Sequence, residues 1–144
     1  MTNPFRDQEK FMRACDQSVD AMNDAQYIMY KNLIAEEFRE LQEAHDMEAE
    51  LDALIDILVV TIGAIHSAGD NVEMLDALID ILVVTIGAIH SAGFDAEGAW
   101  KEVMATNFAK IDRETGKVRK REDGKVLKPT GWHPPVLSPY LVKK

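Results

Sequence analysis

The sequence contains few of the residues that interrupt or cross-link a fold. Its one cysteine, Cys15, excludes an intramolecular disulfide and suits a reducing compartment. Four of its five prolines lie after residue 128, so proline does not interrupt helices over most of the chain. Basic residues are scarce in residues 1–100, which hold 5 of them against 20 acidic residues. We therefore expect a helical protein that does not bind nucleic acid through its charge.

Long apolar runs are also missing. The longest one, residues 77–89, is too short to cross a membrane and contains Asp80. The first residues lack the apolar stretch of a signal peptide. Hydrophobic residues nevertheless make up 47% of the chain, which excludes general disorder. We expect a soluble, cytoplasmic protein with no membrane partner and with one domain over residues 1–144.

The spacing of apolar residues predicts an all-α fold. They recur at helical intervals from about residue 7 to residue 109, and no segment alternates as a strand does. We predict a first helix over residues 8–22 and a second over residues 25–45. Residues 111–144 contain Gly and Pro turns, which predict an extended or irregular tail. This tail is basic, so it either lies solvated on an acidic body or meets an anion.

A perfect internal repeat occupies the middle of the chain. Residues 51–69 and residues 75–93 both read LDALIDILVVTIGAIHSAG, 19 identical residues offset by 24. Natural repeats diverge at exposed positions, so identity at every position indicates a recent or deliberate tandem duplication. The turn residues between the copies predict two separate helices packed as a hairpin.

The second copy carries acids on an otherwise apolar helix. Glu73, Asp76 and Asp80 fall on one helical stripe, and nearly all other positions around the helix are apolar. A helix that is hydrophobic all round is typically buried. We therefore expect this helix to be buried, with its acidic stripe facing a partner.

Acids also occur on the apolar face of the preceding helix. Glu37 falls inside the arc formed by residues such as Leu33 and Phe38, and Glu40 lies at its edge. Buried acids are costly unless they are compensated, and a metal shared with the acids of the second copy would compensate them. Oxygen ligands alone favour Mg²⁺ or Mn²⁺. The alternative is that Glu73 and Asp76 only complement a helix dipole, which leaves Glu37 unexplained.

The ordered acidic motifs resemble those of a known superfamily. Residues 36–40 read EEFRE and residues 73–76 read EMLD, an EExxE followed by an ExxD. This pair, with residues 102–110 and 121–128, is similar to the all-α nucleoside triphosphate pyrophosphohydrolases of the MazG-like and phosphoribosyl-ATP pyrophosphohydrolase-like type. The resemblance implies a MazG-like helical bundle that forms homodimers or tetramers. It also implies Mg²⁺-dependent cleavage of nucleoside or deoxynucleoside triphosphates to a monophosphate and pyrophosphate.

The resemblance further assigns roles to individual residues. It implies that the metal ligands are Glu37, Glu40, Glu73 and Asp76. It makes Glu36 a candidate for orienting the attacking water, as a base or a support for the ligands. Asn107 and Lys110 resemble the phosphate-contacting pair, and Lys125 and Lys128 either add positive charge there or belong to a solvated loop.

The duplication leaves open which copy lies beside the acidic helix. The first copy has Ala49 where the second has Glu73, so only the second copy completes the ExxD motif. If the first copy lies beside the acidic helix, Asp52 and Asp56 enter the site and we expect activity to fall. An exchange of helices between subunits is a further alternative, because identical helices make the same contacts. The competing function is a helical scaffold, natural or engineered, whose duplicated helix displaces the site.

Overall fold

The computed structural model describes residues 3–143, and this part of the chain is helical. It contains five α-helices and one 3₁₀ turn: α1 (Pro4–Ala14), α2 (Asp24–Glu43), α3 (Met47–Ser67), α4 (Val72–Ser91), α5 (Ala96–Phe108) and the 3₁₀ turn Ser138–Tyr140. The described residues form no strand, and their only β-pairing consists of two isolated bridges in the tail, Ile111 with Val118 and Lys120 with Val126. The prediction of an all-α helical fold is confirmed.

Each helix begins at a side chain that caps it. Asparagine or aspartate precedes every α-helix and accepts a hydrogen bond from a backbone N–H of the first turn. The prediction of a first helix over residues 8–22 is wrong at both ends, because α1 begins at Pro4, after the cap Asn3, and closes after Ala14. Asp16 there has a φ of 61°, and the N–H of Gln17 bonds to Met12 O at 2.9 Å. This left-handed closure ends the helix.

The two copies of the repeat form the predicted helical hairpin. The first copy lies in α3 and the second in α4. Asn71 caps the start of α4 with its side chain. Leu78 near the start of α4 packs in the same cluster as Ala64 and Ala68 at the end of α3, so the two helices run antiparallel. The expectation of two separate, paired helices is confirmed.

The copies differ sharply in burial. Ile55 in α3 is 0% exposed and Val60 is 9% exposed, whereas their equivalents Ile79 and Val84 in α4 are 37% and 68% exposed. The expectation that the second copy is the buried helix is therefore wrong. A short connection from α2 lays the first copy against α2, and α1, α4 and α5 also contact it. The second copy is left on the outside of α3.

The C-terminal tail wraps the helices of its own chain. The N–H of Val118 donates to Ala14 O at 3.0 Å, and the indole Nε1 of Trp132 donates to Thr106 O at 2.8 Å. Leu137 is 1% exposed in the core. The tail therefore contacts α1, the end of α5 and the core. None of the described helices is long and apolar enough to cross a membrane.

A substitution at Phe94, which lies between α4 and α5, tests the packing of the core. Phe94 is 1% exposed and packs with Leu51, Trp100 and Met104. Phe94→Ala should lower the free energy of unfolding by about 3–5 kcal/mol, because it leaves a cavity. Phe5→Ala is the control, since Phe5 is 39% exposed, and it should cost much less. Urea denaturation measures both, and equal losses would contradict this packing.

Candidate active site

Close packing of α2 against α3 builds the site. Gly63 allows this approach, because a methyl group at its Cβ position would overlap the ring of Tyr30. Farther along, Gln26 Nε2 donates to Ser67 Oγ at 2.8 Å. At the other end of the same interface, the antiparallel helices bring Glu37 of α2 to Asp56 of α3.

Three carboxylates meet between these helices. Oxygen atoms of Glu37, Glu40 and Asp56 all lie within 4.8 Å of one another. The Oε2 atom of Glu37 is buried and has no hydrogen-bond partner. A buried polar atom without a partner is costly and is uncommon in native structures. The residues therefore fit a bound cation, and an all-oxygen donor set suits Mg²⁺ or Mn²⁺.

Three carboxyls at the site, those of Glu37, Asp52 and Asp56, have raised pKa values. Burial raises the pKa of Glu37 to about 8, and the negative charges of Asp56, Glu40 and Asp52 add to this effect. Burial, with repulsion from Asp52 and Glu40, raises the pKa of Asp56 to about 8. The pKa of Asp52 is raised as well, again mainly by burial. These shifts express the cost of holding negative charges together without a counterion.

A cleft of about 450 Å³ adjoins the cluster. Asp52 and Asp56 of α3 line one side, and Asn107 and Lys110 at the end of α5 line another. Lys110 Nζ donates to Asn107 Oδ1 at 3.2 Å, and burial lowers the pKa of this ammonium, with help from Lys128. The cleft therefore places an acidic wall opposite a cation, an arrangement suited to a metal-bound phosphate.

Trp132 supplies an aromatic wall of the same cleft. The Nζ atoms of Lys110 and Lys128 lie 5.2 Å and 4.7 Å from the centre of its ring. Cation–π contacts of this kind hold lysine side chains over an aromatic face. The tail thus places the positive charge of Lys128 beside Trp132, a residue that lines the cleft.

The structure brings together some of the residues that the sequence singled out. Glu37 and Glu40 lie in the carboxylate cluster, Asn107 and Lys110 line the cleft, and Lys128 contacts Trp132. Their roles in binding remain predictions.

Other predicted residues lie elsewhere. Glu73 and Asp76 are exposed on α4 and do not belong to the cluster of Glu37, Glu40 and Asp56. The physical reason is that α3 already occupies the place beside α2, while α4 packs on α3. Glu36 is exposed on α2, and Lys125 is exposed in a turn where its N–H bonds to Asp123.

The sequence predicts that the second copy supplies ligands, whereas the structure places the first copy beside Glu37 and Glu40. Asp56 takes the position that the analysis of the acidic stripe gave to its repeat equivalent, Asp80. The signal was present, since Asp52 and Asp56 form the same stripe in the first copy. Trp132 carried no such signal, because its place in the cleft depends on the path of the irregular tail.

Comparison with known proteins identifies a family. The sequence profile of the phosphoribosyl-ATP pyrophosphohydrolase family matches residues 11–107, more than half of the chain. No curated protein and no solved structure matches the chain. The chain belongs to the phosphoribosyl-ATP pyrophosphohydrolase family, within the MazG-like all-α pyrophosphohydrolase superfamily. Members are hydrolases of acid anhydrides that act on nucleotide-like substrates.

The raised pKa values predict how stability depends on pH. Glu37 and Asp56 have folded-state pKa values of about 8, above their ordinary values of 4.5 and 3.8. The folded state therefore binds more protons than the unfolded state between about pH 4 and pH 8. In EDTA, the melting temperature should fall as the pH rises through this window.

The variant Asp56→Asn provides the control for this pH dependence. It removes one of the two titrating groups and relieves the repulsion on Glu37, so its melting temperature should fall less steeply with pH. Thermal melts from pH 5 to pH 9 measure both proteins. Parallel curves for the two proteins would show that Asp56 does not titrate in this way.

Proposed function

We propose that the protein is a Mg²⁺-dependent nucleoside triphosphate pyrophosphohydrolase that cleaves NTP or dNTP to a monophosphate and pyrophosphate, with Mn²⁺ as an alternative cation. One observation carries this proposal. The buried, unpartnered Oε2 of Glu37 lies in a cluster of three carboxylates beside a cleft that also contains Lys110. Family membership supports the pyrophosphohydrolase chemistry.

In this proposal the carboxylates of Glu37, Glu40 and Asp56 hold the cation. Bound there, a divalent cation would neutralise phosphate charge and lower the pKa of a coordinated water. Asp52 lines the cleft next to the cluster and can accept a hydrogen bond from a water or from a metal-bound group. Glu36 remains the candidate for orienting the attacking water, although its exposed position requires it to act from the edge of the site.

The basic wall would bind the remaining phosphates. Lys110 is held by Asn107 at 3.2 Å and by the face of Trp132, so its ammonium is already oriented toward the cleft. The lowered pKa of Lys110 reflects burial, and an anionic phosphate would reverse this effect by favouring the charged form. Lys128 adds a second positive charge beside Trp132, and Lys125 adds one if the 121–128 turn closes over the substrate.

We also propose that the protein is a cytoplasmic homo-oligomer, a dimer or a tetramer. The buried single cysteine is compatible with a reducing compartment. Apolar side chains remain exposed in this single chain, among them Ile28 and Phe38 on α2 and Val84 on α4. Exposed apolar patches of this kind commonly mark subunit interfaces.

A specific observation favours the competing scaffold function. Ala49 lines the cleft at the position that corresponds to Glu73 in the second copy, so the ExxD motif is incomplete beside α2. A cluster with one carboxylate fewer binds a divalent cation more weakly, because affinity depends on the charge of the ligand set. If the folded protein shows no turnover, the scaffold function is favoured over the enzymatic one.

Glu37→Gln tests the enzymatic proposal. Removing this ligand should lower kcat/KM for nucleoside triphosphates by about 100-fold or more, because the cation that binds the water loses one of its carboxylate ligands. The assay uses Mg²⁺ with a panel of NTPs, dNTPs and phosphoribosyl-ATP, and it measures monophosphate and pyrophosphate separately. Release of inorganic phosphate without pyrophosphate would contradict the proposed bond cleavage.

The repeat supplies a matched control for this test. Asp56→Asn and Asp80→Asn make the same change in identical 19-residue segments. Only Asp56 lies in the cluster, while Asp80 is exposed on α4. Activity should fall in the first variant and should stay within about twofold in the second, since solvated surface changes are usually mild. Equal losses would place the site elsewhere.

Ala49→Glu tests whether the missing carboxylate limits the site. Position 49 lies on the face of α3 that carries Asp52 and Asp56, so a glutamate there completes the ExxD motif beside Glu37 and Glu40. Mn²⁺ affinity should rise by about tenfold, because a further anionic oxygen ligand is available. Isothermal titration calorimetry measures the change, with Ala49→Gln as the uncharged control. An unchanged Kd would show that position 49 lies outside the metal's reach.

A further inference from the structure

The exposed side of α4 repeats the surface that α3 turns toward α2. Asp56, Gly63 and Ser67 lie at i, i+7 and i+11 along α3 and therefore share one helical face. Their equivalents in α4 are Asp80, Gly87 and Ser91. Because the two segments are identical in sequence, the two faces have the same shape and chemistry wherever the helix is straight.

On α3 this face is filled by α2. The ring of Tyr30 occupies the space beside Gly63 that a Cβ atom would need. Gln26 Nε2 donates to Ser67 Oγ at 2.8 Å, and Asp56 meets Glu37 and Glu40. This face is thus a docking surface for one particular helix of the same chain.

On α4 the same face is open. Apart from its chain neighbours and the backbone of α4 itself, no heavy atom of the described residues lies within 4 Å of the Cβ position of Gly87. Ser91 Oγ donates to Gly87 O at 2.8 Å, which reproduces the bond from Ser67 Oγ to Gly63 O at 2.8 Å. The internal geometry of the face is therefore preserved, and what it lacks in this arrangement is the neighbouring α2.

We propose that α4 carries a second docking face for α2, so that the same chain also folds with α4 in the place of α3. In this alternative arrangement Tyr30 packs on Gly87, and Gln26 reaches Ser91. Residues 47–70 become the connection between α2 and α4. The occupant of the open face is α2 of the same chain.

The interface between α2 and the repeat is equivalent in the two arrangements. Contacts between α2 and residues of the first copy have identical replacements in the second copy. The loop-closure entropy of the longer connection adds little, because it grows only with the logarithm of loop length.

The exchange would change the chemistry of the site at one position. It replaces Ala49 by Glu73 next to Asp76 and Asp80, and so completes the ExxD motif beside Glu37 and Glu40. This part of the inference rests on the proposed metal site.

Glycine-to-alanine substitutions test the exchange without relying on activity. Gly63→Ala blocks the observed arrangement, because the added methyl overlaps the Tyr30 ring. Gly87→Ala meets open space in the observed arrangement and should leave the melting temperature unchanged or slightly higher, since alanine is the better helix former. The double variant blocks both docking faces. All melts are run on the full chain in EDTA.

The exchange predicts a non-additive result. Gly63→Ala should melt within a few degrees of the unmodified protein, and the double variant should melt roughly 10 °C or more below Gly63→Ala. If Gly63→Ala alone melts as low as the double variant, α4 cannot replace α3. If the double variant melts as high as Gly63→Ala, Tyr30 simply moves aside, which also overturns the proposal. If Gly63→Ala alone had a different oligomeric mass in solution, the helices would be exchanging between chains. That result would overturn the proposal of exchange within one chain.

Metal binding then reports which copy lies beside α2. In the Gly63→Ala background, Asp80→Asn should weaken Mn²⁺ binding by about tenfold, measured by calorimetry. Unchanged Mn²⁺ affinity would contradict the movement of Asp80 to Glu37. Absence of Mn²⁺ binding in the unmodified protein would instead refute the proposed metal site and leave the result of the melts standing.

Discussion

The contact between α2 and α3 is the constraint on which the rest of the structure depends. The absence of a side chain at Gly63 lets the ring of Tyr30 approach the backbone of α3, and the bond from Gln26 to Ser67 fixes the same end of the interface. This register brings Glu37 to Asp56 at the other end. The core and the candidate active site are therefore two parts of one helix–helix interface.

The same interface is electrostatically unfavourable without a counterion. Glu37 has a buried, unpartnered oxygen, and the pKa values of Glu37 and Asp56 are both raised to about 8. Packing holds these acids together against their mutual repulsion. Such strain is typical of a site prepared for a charged ligand, because binding then relieves a cost that folding has already met.

Much of the fold was predictable from the sequence, because helical periodicity and caps are local signals. The helix over residues 25–45 and the hairpin of two repeat helices follow from apolar spacing and from turn residues such as Asn71. The early end of α1 was not predictable in this way, since it depends on the left-handed backbone at Asp16. The contact partners of the tail depend on long-range packing, so the place of Trp132 in the cleft could not be read from its neighbours.

Prediction of the site was limited by the repeat itself. The acids Glu37 and Glu40 could be recognised because they occur on an apolar helical face. The choice between Asp56 and Asp80 could not be made from local sequence, since their surroundings are identical over 19 residues. The structure places the first copy beside α2, where a short connection between antiparallel helices leads it, and leaves Glu73 and Asp76 exposed on α4.

Crystallography with bound Mn²⁺ tests the central claim most directly. Anomalous scattering locates the ion without reference to activity. The account predicts an anomalous peak between Glu37, Glu40 and Asp56 in the unmodified protein, with Ala49 on the adjoining face of α3. A fully occupied peak away from Glu37, or a crystal soaked in Mn²⁺ that shows no ion between α2 and its partner helix, would contradict it.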